Sequence, residues 1–201
     1  MSADRIAVVG NGVDAAYFEQ PMGSSSCESR QGPYVLTIGG LTRRKAGDLV
    51  LRVAAALDRE GCGVRVLVAG QGEAAFDAPA AALPNVALLG FVETSRMVEL
   101  LRGAVAVLVL SRYEGFGMPV IEAMAAGAPV ISSRFAALPE VVGDAGLLVD
   151  AENTGEVVAA IQTLLTDSGA HDELRMRGRK RAQAYHWDRC VVRVAEALKN
   201  R

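Results

Sequence analysis

Cysteine, histidine and tryptophan are scarce in this sequence, and their scarcity argues against several classes of site. The 201 residues include three cysteines, two histidines and one tryptophan. Because Cys27, Cys62 and Cys190 lie far apart, they match neither the ligand spacing of zinc sites nor a disulfide framework, so we expect a reducing compartment. The formal net charge is -2, which argues against a protein that binds nucleic acid by neutralising its phosphates.

Long apolar runs are also missing. No stretch approaches the roughly 18–20 apolar residues that a helix needs to span a bilayer. The N-terminus does not resemble a signal peptide, because the polar residues Ser2, Asp4 and Arg5 precede only a short apolar segment. The sequence therefore predicts a cytoplasmic protein without a transmembrane segment. Apolar residues nevertheless make up 51% of the chain, which is enough for a sizeable core.

A polar segment divides the chain into two unequal parts. A short β-like run at residues 6–9 and a turn at residues 11–14 precede residues 19–33, which are rich in serine, glycine and proline. Such a composition is typical of a mobile loop or linker. We therefore assign residues 1–33 to a strand, a turn and a linker, and residues 34–201 to the folded domain.

Apolar strands alternate with helices throughout residues 34–201. The predicted helices are 47–60, 97–101, 155–165, 170–184 and 188–199, together with one after Pro119. The predicted strands are apolar along their whole length, at 34–38, 64–69, 86–89, 105–110, 130–132 and 147–149. Strands of this kind belong in a parallel sheet that helices cover on both faces, so the sequence predicts a doubly wound α/β fold. Ligands of such folds bind at the carboxyl ends of the strands, where the strand order reverses.

The loop that follows the fourth predicted strand carries the sharpest motif of the chain. It runs from Ser111 to Gly127 and holds two carboxylates eight positions apart, Glu114 and Glu122. Pro119 suits the first turn of a helix, where its missing N–H costs nothing. The amides of the three residues before it would then point out of the helix N-terminus, which favours phosphate; they belong to Phe116, Gly117 and Met118.

A pair of carboxylates fits more than one chemistry. It can be the acid and the nucleophile of a glycosidase. Glu122, however, lies one turn into a helix whose N-terminus favours ionised carboxylates, whereas a general acid needs a raised pKa. Hydrogen bonds from ribose or sugar hydroxyls suit the pair better. The cations Arg43, Arg44 and Lys45 follow the first strand and would face this helix, which suits a diphosphate.

Taken together, these stretches resemble the carboxyl-terminal, donor-binding domain of a family 4 retaining glycosyltransferase of the GT-B fold. The matching stretches are residues 8–14, 39–45, 68–72, 86–92, 111–127, 138–146 and 186–187. They cover nearly the whole chain, and the Glu-x7-Glu spacing is the most specific of them. The resemblance implies a Rossmann-like domain and makes residues 1–33 the inter-domain strand and linker.

The resemblance also implies a role for each matching position. Glu122 corresponds to the residue that hydrogen-bonds the nucleotide ribose, and Glu114 to the carboxylate that contacts donor-sugar hydroxyls. Lys45 matches the lysine that neutralises the leaving diphosphate, so Glu114 and Lys45 are the candidate catalytic residues. Val92 would lie where main-chain atoms meet the base. The further candidates for donor binding are Gly39, Gly40, Arg44, Gly70, Phe91, Ser111, Phe116, Gly117, Met118 and Pro119.

No cofactor and no metal is implied, and the donor would be a UDP-, GDP- or ADP-sugar. Gly40 stands where the family commonly has an arginine, so Arg43 or Arg44 would supply that charge. The family's enzymes also begin with a second Rossmann-like domain that carries the acceptor site. We therefore expect a partner domain, in cis or in trans, and donor binding without turnover by the chain alone. The full enzyme would be compatible with peripheral association at the inner face of the membrane.

Two alternatives remain open at the level of sequence. The chain can be a non-catalytic module that binds nucleotide-sugar or pairs with the other subunit of a split transferase. It can also belong to a related GT-B enzyme, such as a phosphorylase or a sugar-nucleotide epimerase.

Two surface features are predicted as well. One is an apolar patch near the strand ends at Gly39, Ser111 and Ser132. The other is a solvated face formed by the five cations of residues 175–181.

Overall fold

A parallel sheet of six strands forms the centre of the domain. The computed structural model describes residues 9–19, 28 and 31–199. The strands are β1 (Tyr34–Ile38), β2 (Arg65–Ala69), β3 (Val86–Gly90), β4 (Ala106–Val109), β5 (Val130–Ser133) and β6 (Leu147–Val149). Their order across the sheet is β3-β2-β1-β4-β5-β6, and every neighbouring pair is parallel. The doubly wound, Rossmann-like fold predicted from the sequence is confirmed.

The strand order reverses between β1 and β4. The chain runs outward from β1 through β2 to β3, and then returns to the other side of β1 for β4. Residues Val35 and Leu36 of β1 pair with Ala106 and Val107 of β4, so the carboxyl ends of these two strands lie side by side. In a doubly wound fold, this is the place where a ligand binds.

Eight helices of the described chain accompany the sheet. They are α1 (Gly47–Arg59), α2 (Asp77–Ala81), α3 (Thr94–Gly103), α4 (Met118–Ala126), α5 (Leu138–Val142), α6 (Thr154–Thr166), α7 (Ser168–Ala182) and α8 (Trp187–Lys199). Neither α2 nor α5 was predicted from the sequence, because helices of five residues are too short to show a periodic pattern. The predicted start of α3, residue 97, lies three residues after its observed start at Thr94.

Two apolar layers cover the sheet, and alternate strand residues enter opposite layers. Val35 packs with α1 and α6, whereas its neighbour Leu36 packs with α3 and α4. This alternation explains why the strands are apolar throughout, since both of their faces are buried. The layers together fix the carboxyl edge of the sheet, where the loops after β1 and β4 begin.

The segment that precedes the domain is only partly described. Residues 6–8 of the predicted strand 6–9 and most of the predicted linker at 19–33 lie outside the described residues. Within residues 9–19, Val13 is buried and forms a parallel bridge with His186, and its N–H donates to the carbonyl of Tyr185. Ala15–Tyr17 forms a 3-10 turn that contacts α3 and α4. This part of the chain is therefore docked on the domain.

Arg177 and Lys180 of α7 are exposed, as the predicted solvated face requires, but the other three cations of that run are half-buried and bind backbone carbonyls. Arg175 donates from Nε to the carbonyl of Gly127 at 2.9 Å, at the carboxyl end of α4. Arg181 likewise donates to the carbonyls of Glu140 and Val141 in α5, and Arg179 donates to that of Phe18. Cations at helix carboxyl ends satisfy free carbonyls and oppose the negative end of the dipole. The sequence prediction is wrong for these three cations because the helical spacing does not show which carbonyls lie within reach.

Arg175→Ala should lower the free energy of unfolding by about 1–2 kcal/mol, because the carbonyl of Gly127 loses a charged donor and α7 loses packing against α4. Denaturant unfolding measures the effect. Lys180→Ala is the matched control: Lys180 is an exposed cation of the same helix, so its removal should change stability by less than about 0.5 kcal/mol. Equal effects of the two substitutions would show that Arg175 has no special structural role.

Ala136→Gly should raise the free energy of unfolding by about 0.5–1 kcal/mol. Ala136 is exposed and has a φ of 51°, in the left-handed region that disfavours a side chain by about 1–2 kcal/mol. Glycine relieves this strain and loses part of the gain through the greater freedom of the unfolded chain. Ala46→Gly provides the contrast: Ala46 has a similar φ of 55° but is fully buried, so the lost methyl packing should offset the relief. A loss of stability in Ala136→Gly would contradict the argument.

Candidate functional site

A glycine-flanked turn leads from β4 into α4, as the sequence predicted. Gly117 precedes the helix with a φ of 95°, Pro119 lies in its first turn, and Gly127 ends it with a φ of 81°. Both glycines occupy the left-handed region, which other residues adopt with strain. The short helix therefore has a fixed start, and its N-terminus lies beside the carboxyl end of β4.

A buried ion pair connects this turn with the loop after β1. Lys45 Nζ lies 2.6 Å from Glu114 Oε1, and the two side chains are only 9% and 7% exposed. The hydroxyl of Ser111 donates to the same oxygen at 2.8 Å. Arg44 lies on the solvent side, 56% exposed, with its guanidinium 3.4 Å from Glu114 Oε2. Two cations thus surround one buried carboxylate at the switch point of the sheet.

Contacts within the loop after β1 hold Lys45 beside Glu114. The backbone N–H of Lys45 donates to the hydroxyl of Thr42 at 3.1 Å, and that of Gly47 donates to the Thr42 carbonyl at 2.9 Å. The stem of Lys45 lies against Gly39, where an added Cβ would come within 2.9 Å of Lys45 Cε. A side chain at position 39 would therefore push the lysine away from Glu114.

Gly40 and Gly70 bring the loops after β1 and β2 into backbone contact. A Cβ at Gly40 would lie 2.0 Å from the carbonyl oxygen of Gln71, and one at Gly70 would lie 2.8 Å from the backbone nitrogen of Gly40. This backbone cannot accept the arginine that the resemblance places at position 40. Arg44 is the arginine that the structure places beside Glu114.

Glu122 lies on α4 and is half-buried, and this burial raises its pKa, although the charge of Lys45 opposes that effect. The position of Glu122 near a helix N-terminus predicted a lowered pKa instead, because the positive end of the helix dipole favours an ionised carboxylate. Removal of the carboxylate from water raises the pKa more than the charge of Lys45 lowers it. The pKa argument made from the sequence against a general acid at Glu122 is therefore wrong.

Three residues near the site escaped the sequence analysis. Tyr17 packs against the α3–α4 layer, and its burial and the nearby charges of Glu122 and Asp14 raise its pKa to about 12. Arg112 forms a two-point ion pair with Asp48, with N–O distances of 2.6 and 2.7 Å, which joins the turn to α1. Tertiary structure brings Tyr17 and Asp48 to the site, whereas Arg112 belongs to the turn itself, and none of the three has a local sequence pattern that marks its role.

The remaining candidates occupy the same edge of the sheet. Gly70 and Gly90 form an isolated bridge, and a cavity of about 290 Å³ lies beside them, lined by Leu41, Gln71 and Asp77 among others. Val92 is half-buried, whereas Phe91 is 77% exposed. Phe116 packs edge to face on Tyr185, with their ring centres 5.9 Å apart. A larger cavity, of about 360 Å³, lies at the opposite edge near Gly63 and Asn85.

Exposed aromatic side chains lie at two of the three strand ends where the apolar patch was predicted, Tyr113 after β4 and Phe135 after β5. A third exposed aromatic residue, Phe91, follows β3 at the far edge of the sheet. Within the described residues, no group of three or more His, Cys, Asp or Glu side chains is arranged to hold a metal ion.

A model of the family described as glycosyl transferases group 1 matches residues 32–167, more than half of the chain. The chain belongs to the group 1 glycosyl transferases. The family resemblance stated from the motifs is thereby confirmed. No helix in the described part of this group 1 glycosyl transferase is both long and apolar enough to cross a membrane.

Named relatives agree with this assignment. The D-inositol 3-phosphate glycosyltransferase of Acidothermus cellulolyticus is 32% identical over 209 residues, covering 94% of this chain and 46% of the relative. The GDP-mannose-dependent alpha-(1-6)-phosphatidylinositol dimannoside mannosyltransferase of Mycobacterium tuberculosis is 31% identical over 165 residues, covering 80% of this chain and 42% of the relative. The chain thus spans somewhat less than half the length of these two relatives.

Solved structures support the fold. Crystal structures of Anabaena Alr3699/HepE in complex with UDP, and with UDP and glucose, match with TM-scores of 0.81 and 0.80. Each of the two matches covers 94% of this chain and 56% of the Anabaena chain, and the sequence identities are 20% and 19%. At such identity the likeness extends to the fold alone.

Proposed function

We propose that this chain is the donor-binding domain of a retaining glycosyltransferase, which transfers a sugar from a nucleotide-diphosphate sugar to an acceptor. The observation that carries the proposal is the buried Lys45–Glu114 pair, which lies at the switch point beside the N-terminus of α4. A cation and free helix amides at one place suit a diphosphate, and a carboxylate beside them suits sugar hydroxyls.

Each part of the donor has a matching group. The diphosphate would take the charges of Lys45 and Arg44 and the amides of Phe116, Gly117 and Met118. The ribose hydroxyls would donate to Glu122, four residues into α4. The donor sugar would then lie at Glu114, and the base would meet the loop at Phe91 and Val92.

The chemistry that follows is stabilisation of a departing anion. As the bond from the anomeric carbon to the diphosphate breaks, negative charge develops on the phosphate oxygens. Lys45, Arg44 and the helix amides are fixed donors for this charge, and prearranged donors lower the barrier more than water does. We propose that no metal takes part and that the acceptor attacks on the face from which the diphosphate leaves, which retains the anomeric configuration.

The names of relatives support this donor class. The mycobacterial relative is named as GDP-mannose-dependent, and the Anabaena neighbour was solved with UDP and glucose. The donor of this chain would be a UDP-, GDP- or ADP-sugar. Because the chain spans less than half of the relatives described above, we propose that an acceptor domain completes the enzyme, in cis or in trans. The exposed aromatic residues Phe91, Tyr113 and Phe135 would face that domain.

Titration calorimetry of the purified chain with UDP, GDP and ADP, and then with their sugars, tests the proposal. One nucleotide family should bind, and the chain alone should not transfer its sugar. Adding the acceptor domain should then start transfer. Binding without any transfer in that mixture would favour a non-catalytic nucleotide-sugar module, and the absence of binding to all three families would overturn the proposed function.

A further inference from the structure

Three buried serines lie at the carboxyl ends of β4 and β5. Ser111 follows β4, and Ser132 and Ser133 end β5, and all three are almost completely shielded from solvent. Hydroxyl groups are costly to bury unless they are hydrogen-bonded. The family resemblance makes Ser111 a candidate donor-binding residue, whereas Ser132 was predicted only as a strand end and no role was predicted for Ser133.

Two of these serines connect the end of β5 to the ion pair through two hydrogen bonds, one to the backbone carbonyl of Ser111 and one from its hydroxyl. The hydroxyl of Ser133 donates to the carbonyl of Ser111 at 2.8 Å. The hydroxyl of Ser111 donates in turn to Glu114 Oε1 at 2.8 Å, the oxygen that also accepts from Lys45 at 2.6 Å. The path therefore runs from the end of β5 to the lysine of the β1 loop.

The position of Ser133 matters because the strand ladder stops before it reaches the turn. The last paired residues of β4 and β5 are Val109 and Ser132. Beyond them, the hydrogen bond from Ser133 fixes the buried carbonyl of Ser111. The orientation of that carbonyl sets the direction of the Ser111 backbone, and therefore the place from which its hydroxyl reaches Glu114.

We propose that Ser111 and Ser133 are positioning residues that fix which oxygen of Glu114 meets the donor. Oε1 already accepts from Lys45 and Ser111, whereas Oε2 lies on the side of the exposed Arg44, 3.4 Å from its guanidinium. Oε2 is therefore the oxygen available to a sugar hydroxyl. This last assignment rests on the proposed function, whereas the serine path does not.

Ser132 provides a matched control one residue away. It is as deeply buried as Ser133, but its hydroxyl bonds to the carbonyls of Val109 and Ser133, at 3.4 and 3.2 Å. Neither of these carbonyls belongs to the path to Glu114. Ser132→Ala therefore removes a hydroxyl from the same strand end and leaves the positioning of Glu114 intact.

Chemical labelling of Lys45 tests the serine path without any ligand. Acetic anhydride modifies lysines, and mass spectrometry follows Lys45 against exposed Lys180 in the same chain. In the Ser133→Ala and Ser111→Ala variants, Lys45 should be acetylated at least about threefold faster than in the wild type, because a hydrogen bond that orders its partner Glu114 is lost. In Ser132→Ala, Lys45 should be acetylated at the wild-type rate.

A second readout separates positioning from a general loss of structure. Ser133→Ala should weaken binding of the matching nucleotide-diphosphate sugar by about fivefold to tenfold, the value of one hydrogen bond. It should leave the nucleoside monophosphate, which does not reach Glu114, within twofold. If Ser133→Ala does not fold, Ser111→Ala, which removes the next hydroxyl, carries the same expectations.

The outcomes of the two experiments are distinct. Unchanged Lys45 labelling in Ser133→Ala, or equal weakening of monophosphate and diphosphate-sugar binding, would overturn the positioning role. If the wild-type chain binds no nucleotide while the labelling pattern is as expected, the serine path stands and the proposed function fails. Faster labelling in Ser132→Ala than in Ser133→Ala would show that the path runs elsewhere.

Discussion

Lys45→Met should lower the free energy of unfolding by about 3 kcal/mol, near the lower end of the cost of breaking a buried ion pair, because Glu114 loses its close partner and keeps only the longer contact with Arg44. Glu114 is only 7% exposed, so its carboxylate cannot regain water when the lysine is removed. Methionine fills much of the space of the lysine stem, which keeps the packing on Gly39. Urea unfolding measures the loss, and Arg44→Met is the control. Because Arg44 is 56% exposed, its removal should cost no more than about 1 kcal/mol.

A double variant separates the charge effect from lost packing. Lys45→Met combined with Glu114→Gln removes both charges and keeps an oxygen that accepts from Ser111. It should be more stable than Lys45→Met alone by about 2 kcal/mol, since no buried charge is left unpaired. Additive losses would mean that the pair does not determine the stability of the site. Neither variant should bind a nucleotide-diphosphate sugar tightly, because the diphosphate loses its buried cation.

Glu122→Gln should weaken nucleotide binding by about tenfold to a hundredfold, because hydrogen bonds from ribose hydroxyls to a charged acceptor contribute about 1.5–3 kcal/mol. The same substitution should raise the Tm at pH 7. Burial raises the pKa of Glu122 in the folded chain, so the folded state is favoured where the group is protonated and loses that advantage as pH rises through the folded pKa. Glutamine removes this penalty at neutral pH.

The pH dependence of Tm distinguishes this explanation from a general change in packing. The gain in Tm from Glu122→Gln should be largest at pH 7–8 and should shrink towards pH 4, where the wild-type carboxyl of the folded chain takes up its proton. Glu140→Gln is the control, since Glu140 is exposed in the first turn of α5. A constant gain over this pH range, or unchanged nucleotide affinity, would contradict the proposed state and role of Glu122.

These two predictions concern a site whose outline follows from the sequence. The apolar strands predicted the parallel sheet, because a sheet covered on both faces leaves no polar positions. Gly117, Pro119 and Gly127 located α4 within one residue, because helix starts and stops have local causes. The convergence of Lys45 and Glu114, 69 residues apart, followed from placing both at the carboxyl ends of neighbouring strands.

The features of the site and of α7 that were predicted wrongly depend on contacts between distant parts of the chain, which no local sequence pattern shows. Gly40 stands where the family commonly has an arginine, and the structure shows that the absence of a side chain there lets the loops after β1 and β2 come into contact. The pKa of Glu122 depends on the layers packed over α4, and helix position alone gave the wrong direction. Likewise, the arginines of α7 reach carbonyls of α4 and α5 that lie far away in sequence. In each case, the surroundings of the residue are determined by segments that are distant from it in the sequence.

Hydrogen–deuterium exchange with a saturating nucleotide-sugar tests most directly whether the turn after β4 holds the donor. If the donor binds at this turn, peptides that cover residues 39–47 and 111–127 should exchange more slowly when the nucleotide-sugar is present. Peptides around the cavity at the opposite edge of the sheet, at residues 57–65 and 84–85, should be unchanged. Protection confined to that opposite edge, or binding without protection of residues 111–127, would contradict the assignment of the donor site.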